Sequence, residues 1–308
     1  MTDAKSAQRT TAHLTPESTL IQALEAWKIY LEDQGRSPHT IRAFSADINL
    51  LVGYLPPDRA IGTITTKELN LFLDWLQNGR GVPCSPKTLA RRITSIKAIY
   101  RWLKKGGIVL IDPAERVVQK SVTSPLPTVL TFEEVDLAFE TAEKLAAGED
   151  GDIRPLALFG LLIHTGIKKS ECLNLTPNHM ELDAEQPFIF VRYASPQHRY
   201  KERKINVPTT WVDTYRKYSA QYDTNDKVFP WSPRRLEYLL EDITNAAGIE
   251  KHISFAMCRW TSALIDMENG IENEKIRQKL GISKIQWREV KSKLLKLSKQ
   301  AENSEKED

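Results

Sequence analysis

No tyrosine occurs beyond Tyr238 in this chain of 308 residues. Its C-terminal stretch therefore offers no phenol to any chemistry that needs one. Cysteine is scarce as well: Cys84, Cys172 and Cys258 form no C-x-x-C pair and are odd in number. That pattern argues against a disulfide framework or a zinc ribbon and predicts reduced thiols in a cytosolic protein. The histidines His13, His39, His164, His179, His198 and His252 show no metal-ligand spacing, so neither a metal nor any other cofactor is expected. No apolar run approaches the roughly 20 residues that cross a bilayer. The first residues, MTDAKSAQRTTAHLTPEST, lack the apolar core of a signal peptide and read as a polar, flexible arm over 1–16. Acidic residues are missing from 85–105, where Lys87, Arg91, Arg92, Lys97, Arg101, Lys104 and Lys105 accumulate, although the whole chain carries a net charge of only +3. A one-signed helix of this kind reads as a surface for a polyanion.

The apolar positions are mainly helical in period. Leu20, Leu24, Trp27 and Leu31 share one face, with Gly35 as a stop. Ser37-Pro38-His39-Thr40 precedes Ile41, Phe44, Ile48 and Leu51, and Ser85-Pro86-Lys87-Thr88 precedes Leu89, Ile93, Ile96, Tyr100 and Leu103. Serine at the cap with proline in the first turn is a strong helix start, because proline lacks a donor that would be orphaned there anyway. A further helix opens at Thr66-Lys67-Glu68, giving a four-helix block over 17–117. Residues 118–126 have linker composition, and Thr131 with Glu134 forms a capping box just after. In the second block, over 127–300, the apolar 155–165 is a buried helix. Residues 187–194 and 203–208 are the two strands of a hairpin with Ser195–Lys201 at its tip. The acidic 301–308 reads as a disordered tail.

Two C-terminal stretches, ISFAMCRWTSAL at 253–264 and LGISKIQWREVK at 280–291, resemble the last motifs of the tyrosine recombinase (phage integrase, XerC/XerD-like) family. The resemblance extends in order from Glu17 to Lys299. It includes the paired Ser-Pro-x-Thr helix starts, the segment 99–117 with its Asp112-Pro113-Ala114 step, and Thr165-Gly166-Ile167-Lys168-Lys169-Ser170-Glu171. It implies a mainly α protein: an N-terminal four-helix SAM-like core-binding domain, then an α-rich (α+β) catalytic-type domain with a small antiparallel sheet. It also implies duplex DNA as partner and a cytoplasmic, nucleoid-associated setting.

In that family two arginines, a lysine and His or Trp residues surround a phosphate that a tyrosine attacks. The family positions here hold Lys168 for the first Arg, Lys201 for the hairpin Lys (with Arg203 and Lys204 as alternatives), Ala256 for a His, Arg259 for the second Arg, Ile282 for the second His, and Lys291 for the Tyr. An ammonium at 291 is no nucleophile near neutral pH without a base beside it. Lysine at 168 keeps the charge but loses the planar fork. No catalytic residue is therefore expected. Phosphate contacts are expected from Lys87, Arg91, Arg92, Lys97, Arg101, Lys168, Lys201, Arg203 and Arg259, with Arg259 alternatively a structural arginine paired to Glu171. The leading reading is an inactive, DNA-binding accessory or site-occupying factor in recombination or integration. An active recombinase with divergent motifs is the second. The third is a subunit without DNA affinity that docks on an active recombinase through the basic amphipathic helix 284–299; an oligomer on DNA is a further expectation.

Overall fold

The computed structural model describes residues 7, 10–119 and 125–304. The chain divides into two compact units, Met1–Ser124 and Pro125–Asp308. Residues 120–124 of the expected linker, residues 1–6, 8 and 9 of the arm, and residues 305–308 of the tail lie outside the described residues.

The first unit holds α1 (Leu20–Asp33), α2 (Pro38–Tyr54), α3 (Thr66–Asp74) and α4 (Pro86–Lys105), and α3 runs on into a π-helical turn over Trp75–Gly79. Each helix starts on a hydroxyl. Thr19 and Thr65 form capping boxes with Gln22 and Glu68, while the Ser37 and Ser85 side chains accept the amides of Thr40 and Thr88. Each such cap satisfies an otherwise orphaned donor and contributes about 1 kcal/mol. The core gathers Leu24, Trp27, Ile48, Phe72, Ile96 and Trp102.

Part of the arm packs on this unit instead of standing free. Ala7 and Leu14 are buried in this core, and Thr10 Oγ1 accepts the indole N–H of Trp102 at 3.2 Å. A buried indole needs such an acceptor, and the threonine supplies it.

The second unit holds α5 (Phe132–Ala146), α6 (Arg154–Thr165), α7 (Lys169–Leu173), β1 (Met180–Glu181), β2 (Phe188–Val191) and β3 (Arg203–Asn206). These are followed by α8 (Thr209–Gln221), α9 (Pro233–Ala247), α10 (Phe255–Glu268), α11 (Asn273–Leu280) and α12 (Lys284–Ser304). Nearly all-apolar α6 is the central helix, packed by α5, α8, α9 and α10. The strands form one antiparallel sheet in the order β1-β2-β3, with Val191 opposite Arg203 and Ile189 opposite Ile205. The short β1 adds a strand that alternation alone did not reveal. A 3₁₀ helix, Pro196–Lys201, fills the hairpin tip.

The C-terminal helix runs on to Ser304, into the segment expected to be disordered. Within this chain its Trp287, Leu294 and Leu297 are buried in a cluster with Ala263 and Leu264 of α10 and with Ile276 and Leu280 of α11.

Candidate functional site

Glu171 organises a dense cluster of charge in the second unit. It sits in the first turn of α7, and only 2 % of its side chain is exposed. Its Oε2 accepts the Lys168 amide at 2.8 Å, and Lys168 Nζ stands 3.6 Å from Oε1. Arg203 grips the carboxylate end-on, with Nη1 to Oε1 at 3.0 Å and Nη2 to Oε2 at 2.8 Å. The Tyr193 hydroxyl donates to the same carboxylate. Burial opposes ionisation of Glu171, but the bonds and charge of Arg203, the Lys168 amide and the Tyr193 hydroxyl outweigh it and hold the carboxyl down to about 2.

Strand parity puts Arg203 here. On β3, Arg203 and Ile205 face inward while Lys204 and Asn206 face solvent. Arg203 also donates through Nε to the Lys279 carbonyl at 2.6 Å, which ties the hairpin to the C-terminal end of α11. It fills the space beside Gly281, whose φ of +58° ends that helix; a Cβ there would lie 2.6 Å from Arg203 Nη1. Arg203 is therefore a structural ion-pair residue, not the phosphate contact expected from the basic hairpin. Lys204 lies over the Phe188 ring at 3.8 Å on the opposite face. Lys201 is the hairpin lysine whose charge reaches Lys168.

Arg259 does not pair with Glu171 by hydrogen bond. Its Nη1 and Nη2 donate to the carbonyls of Gly166 and Leu280, which close α6 and α11. A guanidinium at two helix C-termini meets orphaned acceptors and the negative ends of both dipoles. Burial lowers Arg259 to about 10, against the raising effect of Glu171. Burial likewise lowers Lys168; Glu171 opposes this, while Arg259, Arg203 and Lys201 add to it. Glu171 thus stands among Arg203, Lys168 and Arg259, while Lys201 acts on Lys168.

The remaining family positions carry no reactive group. Ala256 is exposed at the start of α10, Ile282 packs on the cluster beneath α12, and Lys291 is half-buried on α12. The phenol that does enter the cluster is Tyr193, just beyond β2, which sequence reasoning missed. Burial and the bond to Glu171 push its hydroxyl up to about 12.

In the first unit, Lys87 and Arg101 are exposed on α4 and Lys97 is half-buried. Arg92 is not the surface contact expected. It is buried, with Nε 3.7 Å from Asp47 Oδ1 of α2. Arg91 remains exposed while holding the same carboxylate at 2.6 Å.

A two-unit chain with this helical core, hairpin and cation cluster has the architecture of an integrase-type recombinase. The profile described as phage integrase family matches residues 128–288, and that of the phage integrase N-terminal SAM-like domain matches residues 24–107. The chain belongs to the phage integrase family. Tyrosine recombinase XerD of Listeria innocua serovar 6a is 24% identical over 283 residues, covering 86% of this chain and 91% of its own length. Tyrosine recombinase XerC of Mycobacterium bovis is 33% identical over 156 residues, 49% of this chain and 51% of its own. Among solved structures, a lambda integrase dimer bound to a COC′ core site has a TM-score of 0.69 at 16% identity, covering 89% of this chain and 95% of that one. XerH bound to difH substrate before cleavage gives 0.68 at 16%, covering 94% and 90%. At such identities these two likenesses establish the fold.

Proposed function

We propose that this protein binds duplex DNA through a recombinase scaffold without cutting it, as an accessory or site-occupying factor in recombination or integration. The observation that carries the reading is the occupancy of the nucleophile position by Lys291, while positive charge persists around Lys168. Phosphodiester cleavage by this fold needs a nucleophile, proton carriers and cations aimed at the non-bridging oxygens. Here Ala256 and Ile282 have no titratable proton, and Lys291 puts an amine where the family has a phenol. Lys168 and Lys201 retain the charge that attracts a phosphate, and Arg259 fixes the helix ends beside them. The DNA-bound states named for lambda integrase and XerH support DNA as partner, and the dimer named for lambda integrase supports assembly on it.

One observation favours an active enzyme instead: Tyr193 places a phenol in the cluster. Its raised pKa and its bond to a carboxylate held near 2, which is a poor base, weigh against it as nucleophile.

The test is a gel-shift series together with a nicked suicide duplex carrying relatives' recombination sites or the chain's own genomic neighbourhood. The expected result is a salt-sensitive shift and no adduct that survives denaturation. A covalent adduct overturns the inactive reading, and no shift at low salt overturns DNA binding.

A further inference from the structure

Asp47 of α2 is almost fully buried, with 2 % of its side chain exposed, yet it serves a cation that is not buried. Its Oδ2 accepts Arg91 Nη1 at 2.6 Å and Ser95 Oγ at 2.8 Å, both from α4. The carbonyl of Ala43, one turn earlier on α2, accepts the same Arg91 Nη1 at 3.2 Å. Beneath lies Arg92, buried beside Oδ1. One carboxylate between two guanidiniums leaves net positive charge at this seam. Burial raises the Asp47 carboxyl, and the Ser95 bond and both arginines oppose that rise.

Arg91 is held by one nitrogen only. Among the described residues its Nε and Nη2 make no hydrogen bond, and 42 % of its side chain is exposed. Nε and Nη2 form one edge of the guanidinium, two parallel donors in a fixed fork. Lys87 lies one turn before it on the same face and Arg101 beyond it, both exposed and long. Flexible cations at the ends of a helix face suit a phosphate backbone, which needs charge rather than plane. A clamped planar fork between them suits the one base edge with two acceptors side by side, guanine O6 and N7 in the major groove.

We propose that Arg91 is a specificity-determining residue that reads a guanine, and that Asp47 is the positioning residue that fixes its fork. The proposal rests on the DNA-binding reading above. It assigns the role to the first unit alone.

Selection of duplexes from a randomised pool by the full chain gives the motif. Affinity for the selected duplex is then compared with that for one carrying 7-deazaguanine at the selected guanines, which removes N7 alone. The wild type is expected to bind the unmodified duplex about 10-fold or more tightly, within the range for a bidentate base contact. In R91A that ratio falls to about 1 and the guanine drops out of the selected motif, because no donor remains to reach O6 and N7. In Asp47→Asn the ratio falls with Arg91 still present, with a circular-dichroism melt to show that the variant is folded; R91A carries the test where it is not. An R91A protein that selects the same motif with the same ratio overturns the assignment and leaves DNA binding intact. A wild type that retains no duplex at low salt defeats the DNA-binding reading itself, and this one with it.

Discussion

Arg203 on β3 and Glu171 on α7 meet as a two-bonded ion pair, with only 7 % and 2 % of their side chains exposed. Burying both charges costs desolvation, and the pair recovers it through geometry and through the Lys168, Tyr193 and Lys279 groups that complete their hydrogen bonds. Removing one partner leaves the other buried and unpaired. Arg203→Ala is therefore expected to destabilise the second unit by roughly 3–5 kcal/mol, read as a lowered thermal midpoint.

The same pair sets an acid response. Glu171 is held at about 2 against an ordinary 4.5, so its folded pKa is depressed. The stability it adds is fully present above pH 4.5 and is lost as pH falls from there toward 2. A shift of that size corresponds to about 3 kcal/mol. Denaturant melts of the wild type are expected to weaken over this window. Glu171→Gln is expected to be less stable at pH 7 and flatter with pH; a slope equal to that of the wild type counts against the pairing.

On the proposed reading, cleavage fails for several reasons together, so restoring one group should not restore it. Lys291→Tyr returns a phenol to the family position, but Ala256 and Ile282 still have no titratable proton, and Lys168 still lacks the arginine fork. No covalent adduct with a nicked duplex is expected from this variant. An adduct would mean that the cation cluster activates a nucleophile by itself.

The exposed part of α4 and its buried part should separate in experiment. Lys87→Ala with Arg101→Ala removes two exposed cations, so the log–log salt slope of DNA binding should fall by about 2, with little change in the melt. Arg92→Ala instead leaves Asp47 short of a buried partner and should lower the melting temperature.

Helix starts were legible because caps are local: Ser37, Ser85 and Thr131 announce themselves within four residues. The family positions were legible for the same reason, as spacing along single motifs. Partners across the fold were not. Sequence reading offered Glu171 only Arg259 as a partner, and the hairpin register brings Arg203 to it instead. A signal was nevertheless present, since Arg203 shares strand parity with Ile205, and Arg92 lies on the stripe of Ser95, Ile96 and Ile99. Tyr193 lay outside the family motifs, though it shares the parity of the buried Ile189 and Val191 in the expected strand.

The C-terminal helix gives the last test. Leu294 is fully buried against α10 and α11, in the face expected to dock on another protomer. If α12 is part of its own unit's core, Leu294→Ala leaves a cavity there and should cost about 2–5 kcal/mol, visible as a lower melting temperature that does not depend on protein concentration. If the helix instead exchanges between chains, the midpoint of the wild type rises with concentration and the variant abolishes that rise. The exposed Ile285 and Leu295 lie off the buried face, so Ala at either should leave the melt within about 0.5 kcal/mol of the wild type.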